Sequence, residues 1–401
     1  MSWALRMTLY ASAFVIIPYI YIAWRLINSA GLLFPSYSRI SRIIILSVIL
    51  LVNIFPLLML YYYSKGTLLN EFIYKSQTNL QDYFFLFPFW IGLIIIIEVL
   101  PYFIASDILQ LLGKWFFSGL NPVVRKWSAI FKVVLLLFFA IYVSVNTFID
   151  TYKISESKFS INIDDLPAEL NNLNLALIAD LQIDRFTQNY KIDSVKELIN
   201  GNKPDLLFFA GDLVTRGKDF INQGVDFMCG LQANTERVAC IGDHDYWADA
   251  EIISKGLENC GWTFLYDAHS IISYKNSKIL VTGITYIYSR RISPGQLKDV
   301  LQNAPDADLK ILLVHQPSKM VVQFAEEYGY DILLAGHTHG GQVVFKPFGF
   351  TLTPTKIENE FYSGYYKKNR LNIFVTNGVG LTMMPLRYRA SAEVIKINLQ
   401  N

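Results

Sequence analysis

The sequence is poor in cysteine, in histidine and, over its first 150 residues, in charged side chains. Three cysteines in 401 residues cannot form a disulfide framework, so we expect Cys229, Cys240 and Cys260 to be buried thiols. A net charge of +2, scattered along the chain, excludes the concentrated basic surface of a nucleic-acid-binding protein, and no nucleic-acid partner is expected. The mean hydropathy of +0.32 excludes a disordered chain and a purely soluble fold.

Charge divides the chain into two parts. Residues 1–150 contain 10 Lys+Arg and 5 Asp+Glu, whereas residues 151–401 contain 25 and 28. The first part is therefore predicted to be a helical membrane domain (1–150), and the second, with an ordinary charge content, a globular domain (151–401).

Four apolar runs in the first part have about the length of a transmembrane helix, which needs about 20 residues. They are Met7–Trp24, Ile43–Tyr63, Tyr83–Ala105 and Ser128–Phe148. Tryptophan and tyrosine residues mark their ends, as in interfacial belts. Between the third and fourth runs, Ser106–Trp127 predicts either an interfacial amphipathic helix or a short re-entrant segment. The pattern predicts an integral, multi-pass membrane protein.

Lysine and arginine are slightly enriched in the first and third loops between these runs, 6 against 5 on the opposite side. Cytoplasmic loops carry the excess of positive residues, so this count favours both termini, and with them the globular domain, outside the cytoplasm. Glu98 lies within the third run, close to Pro101, and we interpret it as a structural partner rather than a functional acid.

From Leu173 onwards, short apolar runs alternate with amphipathic stretches, which is typical of an α/β domain. The predicted strands are Leu173–Ala179, Leu206–Ala210, Arg237–Ile241, Lys278–Gly283, Lys310–Val314 and Asp331–Ala335. The predicted helices are Tyr190–Asn200, Phe220–Leu231, Ala250–Asn259 and Ser318–Tyr328. In such folds, ligands bind beyond the carboxyl ends of the strands.

Five polar motifs follow these predicted strands, and four of the five histidines lie within them. The motifs are Asp180-Leu-Gln182, Gly211-Asp212, Gly242-Asp243-His244-Asp245, His315 and Gly336-His337-Thr338-His339-Gly340-Gly341-Gln342. Imidazole and carboxylate groups at the ends of adjacent strands converge naturally on a metal ion. Each motif alone is as typical of an ordinary turn, and the His-x-His string alone could be a structural zinc site without cysteines. The ordered set of five predicts a metal centre, in which His269 has no role.

This ordered set resembles the calcineurin-like metallophosphoesterases, whose pattern is Asp-x-His, Gly-Asp, Gly-Asn-His-Asp/Glu, His and Gly-His-x-His. The resemblance extends from about Asn172 to the C-terminus, and the last motif is similar to that of bacterial phosphodiesterases that include UDP-2,3-diacylglucosamine hydrolase relatives. The whole layout resembles the transmembrane proteins with a metallophosphoesterase domain. The resemblance implies a four-layer α/β/β/α sandwich with two divalent metal ions between the loops of its sheets.

The resemblance also implies a role for each motif residue. The first ion would be bound by Asp180, Gln182, Asp212 and His339. The second would be bound by Asp212, Asp243, His315 and His337, so that Asp212 bridges the pair. The catalytic histidine would be His244, with Asp245 as its orienting partner.

Two residues depart from the family pattern, because Gln182 stands in place of a histidine and Asp243 in place of an asparagine. Both offer hard oxygen ligands, which favour an ion such as Mn²⁺, while Fe and Zn also suit the mixed N/O set. The extra carboxylate should retain the ions but reduce their attraction for an anionic phosphate.

Two hypotheses about function follow. The first is a membrane-anchored phosphoesterase that uses two-metal catalysis on a phosphodiester, pyrophosphate or phosphomonoester, with a lipid-linked compound as the first choice of substrate and a soluble phosphate ester or nucleotide as the variant. The second is a non-catalytic membrane receptor or scaffold that retains the fold, which is motivated by the departures at Gln182 and Asp243.

Overall fold

The computed structural model describes residues 3–67, 78, 80–116, 121–187, 189–288 and 290–401. The chain forms two compact units. The helical unit comprises Met1–Phe148, Phe345–Leu352 and Met383–Leu386. The α/β unit comprises Ile149–Val344, Thr353–Thr382 and Arg387–Asn401.

Long apolar helices make up the N-terminal part of the chain. They are α1 (Trp3–Leu33), α2 (Ser38–Val52), α3 (Ile54–Ser64), α4 (Phe87–Phe116) and α5 (Asn121–Tyr152), with α4 preceded by a π-helical turn at Asp82–Leu86. Four described segments are long and apolar enough to cross a bilayer: Leu5–Leu33, Pro35–Val52, Asp82–Trp115 and Pro122–Tyr152. By length and composition, these helices suit a membrane.

The predicted second run, Ile43–Tyr63, is wrong as one continuous helix, because the chain breaks at Asn53 between α2 and α3. The Asn53 side-chain amide donates to the Ile49 carbonyl at 2.8 Å, and Pro56 has no N–H to bond back to the preceding turn. A side chain that competes for backbone acceptors and a nearby proline both interrupt helices.

The predicted interfacial or re-entrant segment, Ser106–Trp127, is also wrong as a separate element. Its first part continues α4 as far as Phe116, and its last part belongs to α5, which begins at Asn121. Residues 117–120 between them lie outside the described residues. The apolar face seen in the sequence is therefore the end of a long helix.

A charged cluster on α4 joins three helices of the helical unit. The Asp107 carboxylate accepts the Tyr21 hydroxyl at 2.5 Å and pairs with Arg25 at 2.5 Å and Lys132 at 2.8 Å. Arg25 and Tyr21 belong to α1, and Lys132 to α5. Charged groups within apolar helices pair with one another because isolated charges are costly in a low dielectric. The cluster therefore fixes α1, α4 and α5 together.

One short segment from the C-terminal part of the sequence belongs to the helical unit. In Phe345–Leu352, the Phe348 ring lies 4.7 Å from the Tyr102 ring on α4, and the Phe348 N–H donates to the Tyr102 hydroxyl at 3.4 Å. A bridge between Phe345 and Leu352 closes the segment as a short hairpin. The hairpin presents Phe350 to the outside, 72% exposed.

The α/β unit contains two six-stranded sheets. The first has the order β1 (Ile154–Asn162), β14 (Ala392–Gln400), β2 (Asn174–Ile178), β3 (Leu206–Phe209), β4 (Glu236–Cys240) and β5 (Thr263–Leu265). The second has the order β12 (Gly364–Lys368), β13 (Leu371–Val375), β11 (Ile332–Ala335), β10 (Leu309–Val314), β7 (Ser277–Ile284) and β6 (Ala268–Tyr274). A two-stranded ribbon joins β8 (Tyr286–Ile287) to β9 (Arg290–Arg291).

Helices cover the outer faces of both sheets. On the first sheet these are α6 (Asn189–Gly201), α7 (Ile221–Cys229) and α9 (Ala250–Asn259), and on the second α10 (Pro294–Gln302) and α11 (Lys319–Glu327). Two further short helices are α8 (Asp243–Ala248) and α12 (Pro354–Glu358). Along β2, Leu175 and Leu177 join the core between the sheets, whereas Ala176 and Ile178 face the outer helices. This period of two defines helix, sheet, sheet and helix layers. The predicted α/β/β/α fold class is confirmed.

The expectation of three free thiols is wrong. Cys229 and Cys260 form a disulfide, with their Cα atoms 5.6 Å apart, and Cys240 is the buried thiol. Helices α7 and α9 pack side by side on the first sheet and bring their C-terminal ends together. The sequence spacing of 31 residues contains no sign of this packing.

Candidate metal centre

The five sequence motifs meet at one edge of the α/β unit. They follow β2, β3, β4, β10 and β11, all of which pair in parallel within their sheets. Carboxyl ends of parallel strands lie at the same edge of a sheet, so the loops of the two sheets face each other there.

Main-chain amides hold three buried carboxylates in place, each by one oxygen. The pairs are Asp180 Oδ2 with the His337 N–H (2.8 Å), Asp212 Oδ1 with the His244 N–H (2.8 Å) and Asp243 Oδ1 with the Tyr288 N–H (2.6 Å). The other oxygen of each carboxylate is turned towards histidine nitrogens. The backbone thus fixes three carboxyl groups, each with one oxygen left to face the histidines.

His315 lies between two groups of these ligands. Its Nε2 is 3.4 Å from Asp212 Oδ2 and 3.6 Å from Asp243 Oδ2. Asp243, His315 and His337 offer ligand atoms within 4.8 Å of one another, and so do Asp180, Asp212 and His315. The two groups form adjoining candidate metal sites.

Orphaned oxygens show that the residues fit divalent ions. Asp180 Oδ1 and Gln182 Oε1 are buried and have no hydrogen-bond partner among the described residues. Buried polar atoms are rarely left unpaired because desolvation costs about 1–3 kcal/mol each. Asp180, Asp212 and Asp243 are all at most 1% exposed, so three carboxyl groups are buried together beside imidazoles.

The pKa values follow from this crowding. Burial raises the pKa of Asp180, and the Asp212 charge adds to the rise. Burial also raises the pKa of Asp212, but the nearby His315 and His244 lower this pKa by a larger amount. The net shift of the Asp212 pKa is therefore downward. For His315, the carboxylates outweigh burial, which lowers the pKa, and they hold it well above its usual value.

Several ligand residues adopt left-handed backbone conformations, which non-glycine residues seldom do. Their φ angles are 50° for Asp180, 40° for Gln182, 65° for Asp212, 72° for His337 and 50° for His339. Such conformations cost of order 1–3 kcal/mol each and concentrate at functional sites. Gly211 permits the close approach of the two loops, since a Cβ there would lie 2.5 Å from the Gly242 nitrogen.

Residues 173–341, which include all these ligands, match the family model of the calcineurin-like phosphoesterases. Over these residues the α/β unit is similar to the calcineurin-like phosphoesterases. Similar proteins include a metallophosphoesterase of Caenorhabditis elegans (29% identity over 60% of this chain and 51% of that one). A transmembrane protein with metallophosphoesterase domain of Danio rerio is 26% identical over 60% of this chain and 56% of that one. Phosphodiesterase YaeI of Escherichia coli is 26% identical over 56% of this chain and 81% of that one. The chain therefore spans only about half the length of the first two relatives.

The candidate metal centre orients His315 and His339 differently. His315 Nδ1 lies 2.7 Å from the Ala210 carbonyl and donates a hydrogen bond to it, which turns Nε2 towards the carboxylates. His339 Nδ1 instead faces the Arg387 guanidinium at 3.3 Å, and a guanidinium only donates. His339 Nε2 lies 3.4 Å from Asp180 Oδ1 and 3.2 Å from the Gln182 amide nitrogen.

Gln182 lies beside Asp212 and His339. Its Nε2 is 3.3 Å from Asp212 Oδ2 and 3.2 Å from His339 Nε2, while its carbonyl oxygen is the unpaired atom described above. The amide thus occupies a position among the ligands, where its oxygen suits a hard ion.

His244 stands at the site, but the structure corrects the role predicted for Asp245. The Asp245 carboxylate accepts the N–H groups of Asp212, Leu213 and Gly242 at 2.7–3.1 Å, and so ties the β3 loop to the start of α8. The His244 ring is oriented by the Thr215 carbonyl, 2.5 Å from Nδ1.

Sequence reasoning missed three residues of the site. Gln316 donates to Asp243 Oδ2 at 2.7 Å, the Tyr288 ring lies 5.2 Å from that of His337, and Arg387 is fully buried behind His339. Gln316 directly follows His315, and this adjacency was a usable signal. Arg387 lies 48 residues beyond His339 and outside every motif, so no sequence signal pointed to it.

Proposed function

We propose that this chain is a membrane-anchored, metal-dependent phosphoesterase that hydrolyses a phosphodiester, a pyrophosphate or a phosphomonoester. The observation that carries the proposal is the pair of adjoining ligand groups around His315, with orphaned oxygens at Asp180 and Gln182. Hydrolysis of a negatively charged phosphate ester requires positive charge in the site. Divalent metal ions bound by these carboxylates and imidazoles would supply that charge.

The ligand assignment follows the sequence motifs. One ion would be held by Asp180, Gln182, Asp212 and His339, and the other by Asp212, Asp243, His315 and His337. Mn²⁺, Fe and Zn²⁺ suit this donor set. Two divalent ions held by these residues would supply Lewis-acid stabilisation of phosphoryl charge and a more acidic water.

His244 is the residue that would handle the leaving group. With Nδ1 donating to the Thr215 carbonyl, Nε2 is the ring atom that holds or releases a proton. Its main-chain N–H meanwhile fixes Asp212. The Trp247 ring, 5.0 Å from that of His244 and 55% exposed, offers an apolar surface to the departing group.

We further propose that the protein is multi-pass, that the α/β unit lies outside the cytoplasm, and that its substrate is lipid-linked. Four candidate spans support the first point, and the count of lysine and arginine around the predicted apolar runs supports the second. The Cys229–Cys260 disulfide adds support because such bonds persist in oxidising compartments. An anchor of several spans favours substrates that stay at the bilayer.

A reporter placed after Asn401 tests the orientation. Alkaline phosphatase, which is active only after export, should be active in this fusion, whereas green fluorescent protein exported by the same route should stay dark. The same pair fused after Phe34, between α1 and α2, should give the opposite result. A fluorescent C-terminal fusion would reverse the orientation and move the substrate to the cytoplasm.

Turnover by the full chain tests the activity. In detergent, the metal-free protein should be inactive, and Mn²⁺ should restore hydrolysis of bis(p-nitrophenyl) phosphate or p-nitrophenyl phosphate. Full loading with two ions and no turnover of mono-, di- or pyrophosphate esters would contradict the proposal and favour the receptor hypothesis.

A further inference from the structure

A cavity of ≈ 480 Å³ lies directly beside the candidate metal centre within the α/β unit. His337 and Gln316, which both contact Asp243, form the wall next to the metal ligands. The remaining walls come from the β8–β9 ribbon, the first turn of α11 and the helix α12. We call it the side cavity. A phosphate held at the metal centre would have its substituent within reach of this space.

Three cationic side chains line the side cavity: Arg291, Lys319 and Lys356. Among the described residues, none of the three forms an ion pair with a carboxylate. Elsewhere in the same unit such pairs are formed, as between Lys368 and Glu326 at 2.7 Å. Cationic side chains without ion-pair partners around one cavity indicate that the cavity binds an anion.

Arg291 is held in place before any ligand binds. Its guanidinium lies 5.4 Å from the Tyr286 ring and 5.2 Å from the Tyr288 ring, within the range of cation–π attraction. Tyr288 is in turn fixed against the metal ligands, because its N–H donates to Asp243 and its ring packs on His337. The Arg291 charge is therefore tied to the metal centre through one tyrosine.

Lys319 extends the positive wall opposite the ribbon. It is the first residue of α11, which is capped by Ser318, and its ammonium group adds to the positive end of the helix. Across the cavity, α12 contributes Glu358 and Glu360, of which Glu358 accepts the Tyr288 hydroxyl. These carboxylates repel an anion from the α12 side of the cavity. An anion would therefore bind on the opposite side, near Arg291 and Lys319.

We propose that the side cavity binds a second phosphate of the substrate, so that the preferred substrate is a diphosphate compound whose scissile phosphate carries a phosphate neighbour. This inference rests on the proposed function, since it takes the metal centre as the site of the first phosphate. It selects the pyrophosphate class from the three ester classes considered above.

Calorimetric titration of AMP and ADP into the full-length, Mn²⁺-loaded protein in detergent tests the inference, with free Mn²⁺ held constant. Both nucleotides share the adenosine, so their difference reports the second phosphate. ADP should bind at least about tenfold more tightly than AMP, since charge-assisted hydrogen bonds are the strong ones. In the Arg291→Ala/Lys319→Ala double variant, this preference should fall to about unity while AMP binding changes little.

Lys298→Ala is the matched control, because Lys298 is an exposed cation on α10 that does not line the side cavity. It should keep the wild-type preference for ADP. Equal binding of AMP and ADP by the wild type, or a preference that survives the double variant, would overturn the inference. Binding is measured without turnover, so an ADP preference in a protein that hydrolyses nothing would retain the side cavity and overturn only the proposed activity.

Discussion

Asp212→Asn should release both metal ions and lower turnover by at least about 100-fold. Asp212 is 1% exposed, and its Oδ2 lies 3.4 Å from His315, at the junction of the two ligand groups. Loss of a supporting hydrogen bond around a metal ligand already costs 10–100-fold in affinity or activity, and loss of a shared ligand should cost more. The asparagine keeps the shape and an oxygen for the His244 N–H but loses the negative charge.

Elemental analysis of the purified variant, together with its thermal unfolding, separates metal loss from misfolding. Asp299→Asn, an exposed aspartate on α10, is the matched control and should retain two ions and full turnover. An Asp212→Asn protein that folds and still holds two ions per chain would show that Asp212 does not bridge them.

The strands that the sequence predicts correctly are those buried on both faces. The parallel strands β2, β3, β10 and β11 are continuous apolar runs that end at a polar motif, so both their type and their ends could be recognised. The edge strand β1 carries serine, lysine and glutamate and is mostly half-exposed. Its partner β14 lies more than 230 residues further along the chain, and no local pattern contains that pairing.

Two other misses have a local origin in one case and a tertiary origin in the other. The break at Asn53 depends on a side chain that bonds its own helix, in a run whose hydropathy is unchanged. The Cys229–Cys260 bond depends on α7 packing against α9. Hydropathy and spacing report which residues are buried, and they do not report which buried residues meet.

The candidate site shows the same division. The motifs place nine residues at the ends of strands, and the fold brings the carboxylates and imidazoles among them together. Their metal roles stay predictions until an ion is measured. Asp245 could not be assigned correctly because its three bonds go to main-chain N–H groups, which carry no side-chain signal. Arg387 reaches His339 from a loop with no motif of its own.

His244→Ala should lower kcat by about 10²–10⁴-fold, the usual contribution of a general acid, while both ions stay bound. Only the main-chain N–H of residue 244 contacts Asp212, at 2.8 Å, and the alanine variant retains this group. The side chain itself bonds to the Thr215 carbonyl and packs on Trp247, so its removal leaves the metal ligands untouched. His269→Ala is the matched control, since His269 bonds to Thr282 on β7 and contacts no metal ligand in the described part of the chain.

The leaving group decides what His244 does. Proton donation matters most when the departing oxygen is strongly basic, so His244→Ala should lose far more activity on a phenyl ester than on a p-nitrophenyl ester of the same phosphate. The two esters bind the same metal centre and differ only in the basicity of the oxygen that departs. Equal losses on both would assign His244 to stabilising charge on the phosphoryl group. Loss of metal from the variant would make its ring a ligand, contrary to the Thr215 contact that turns Nδ1 away from the ions.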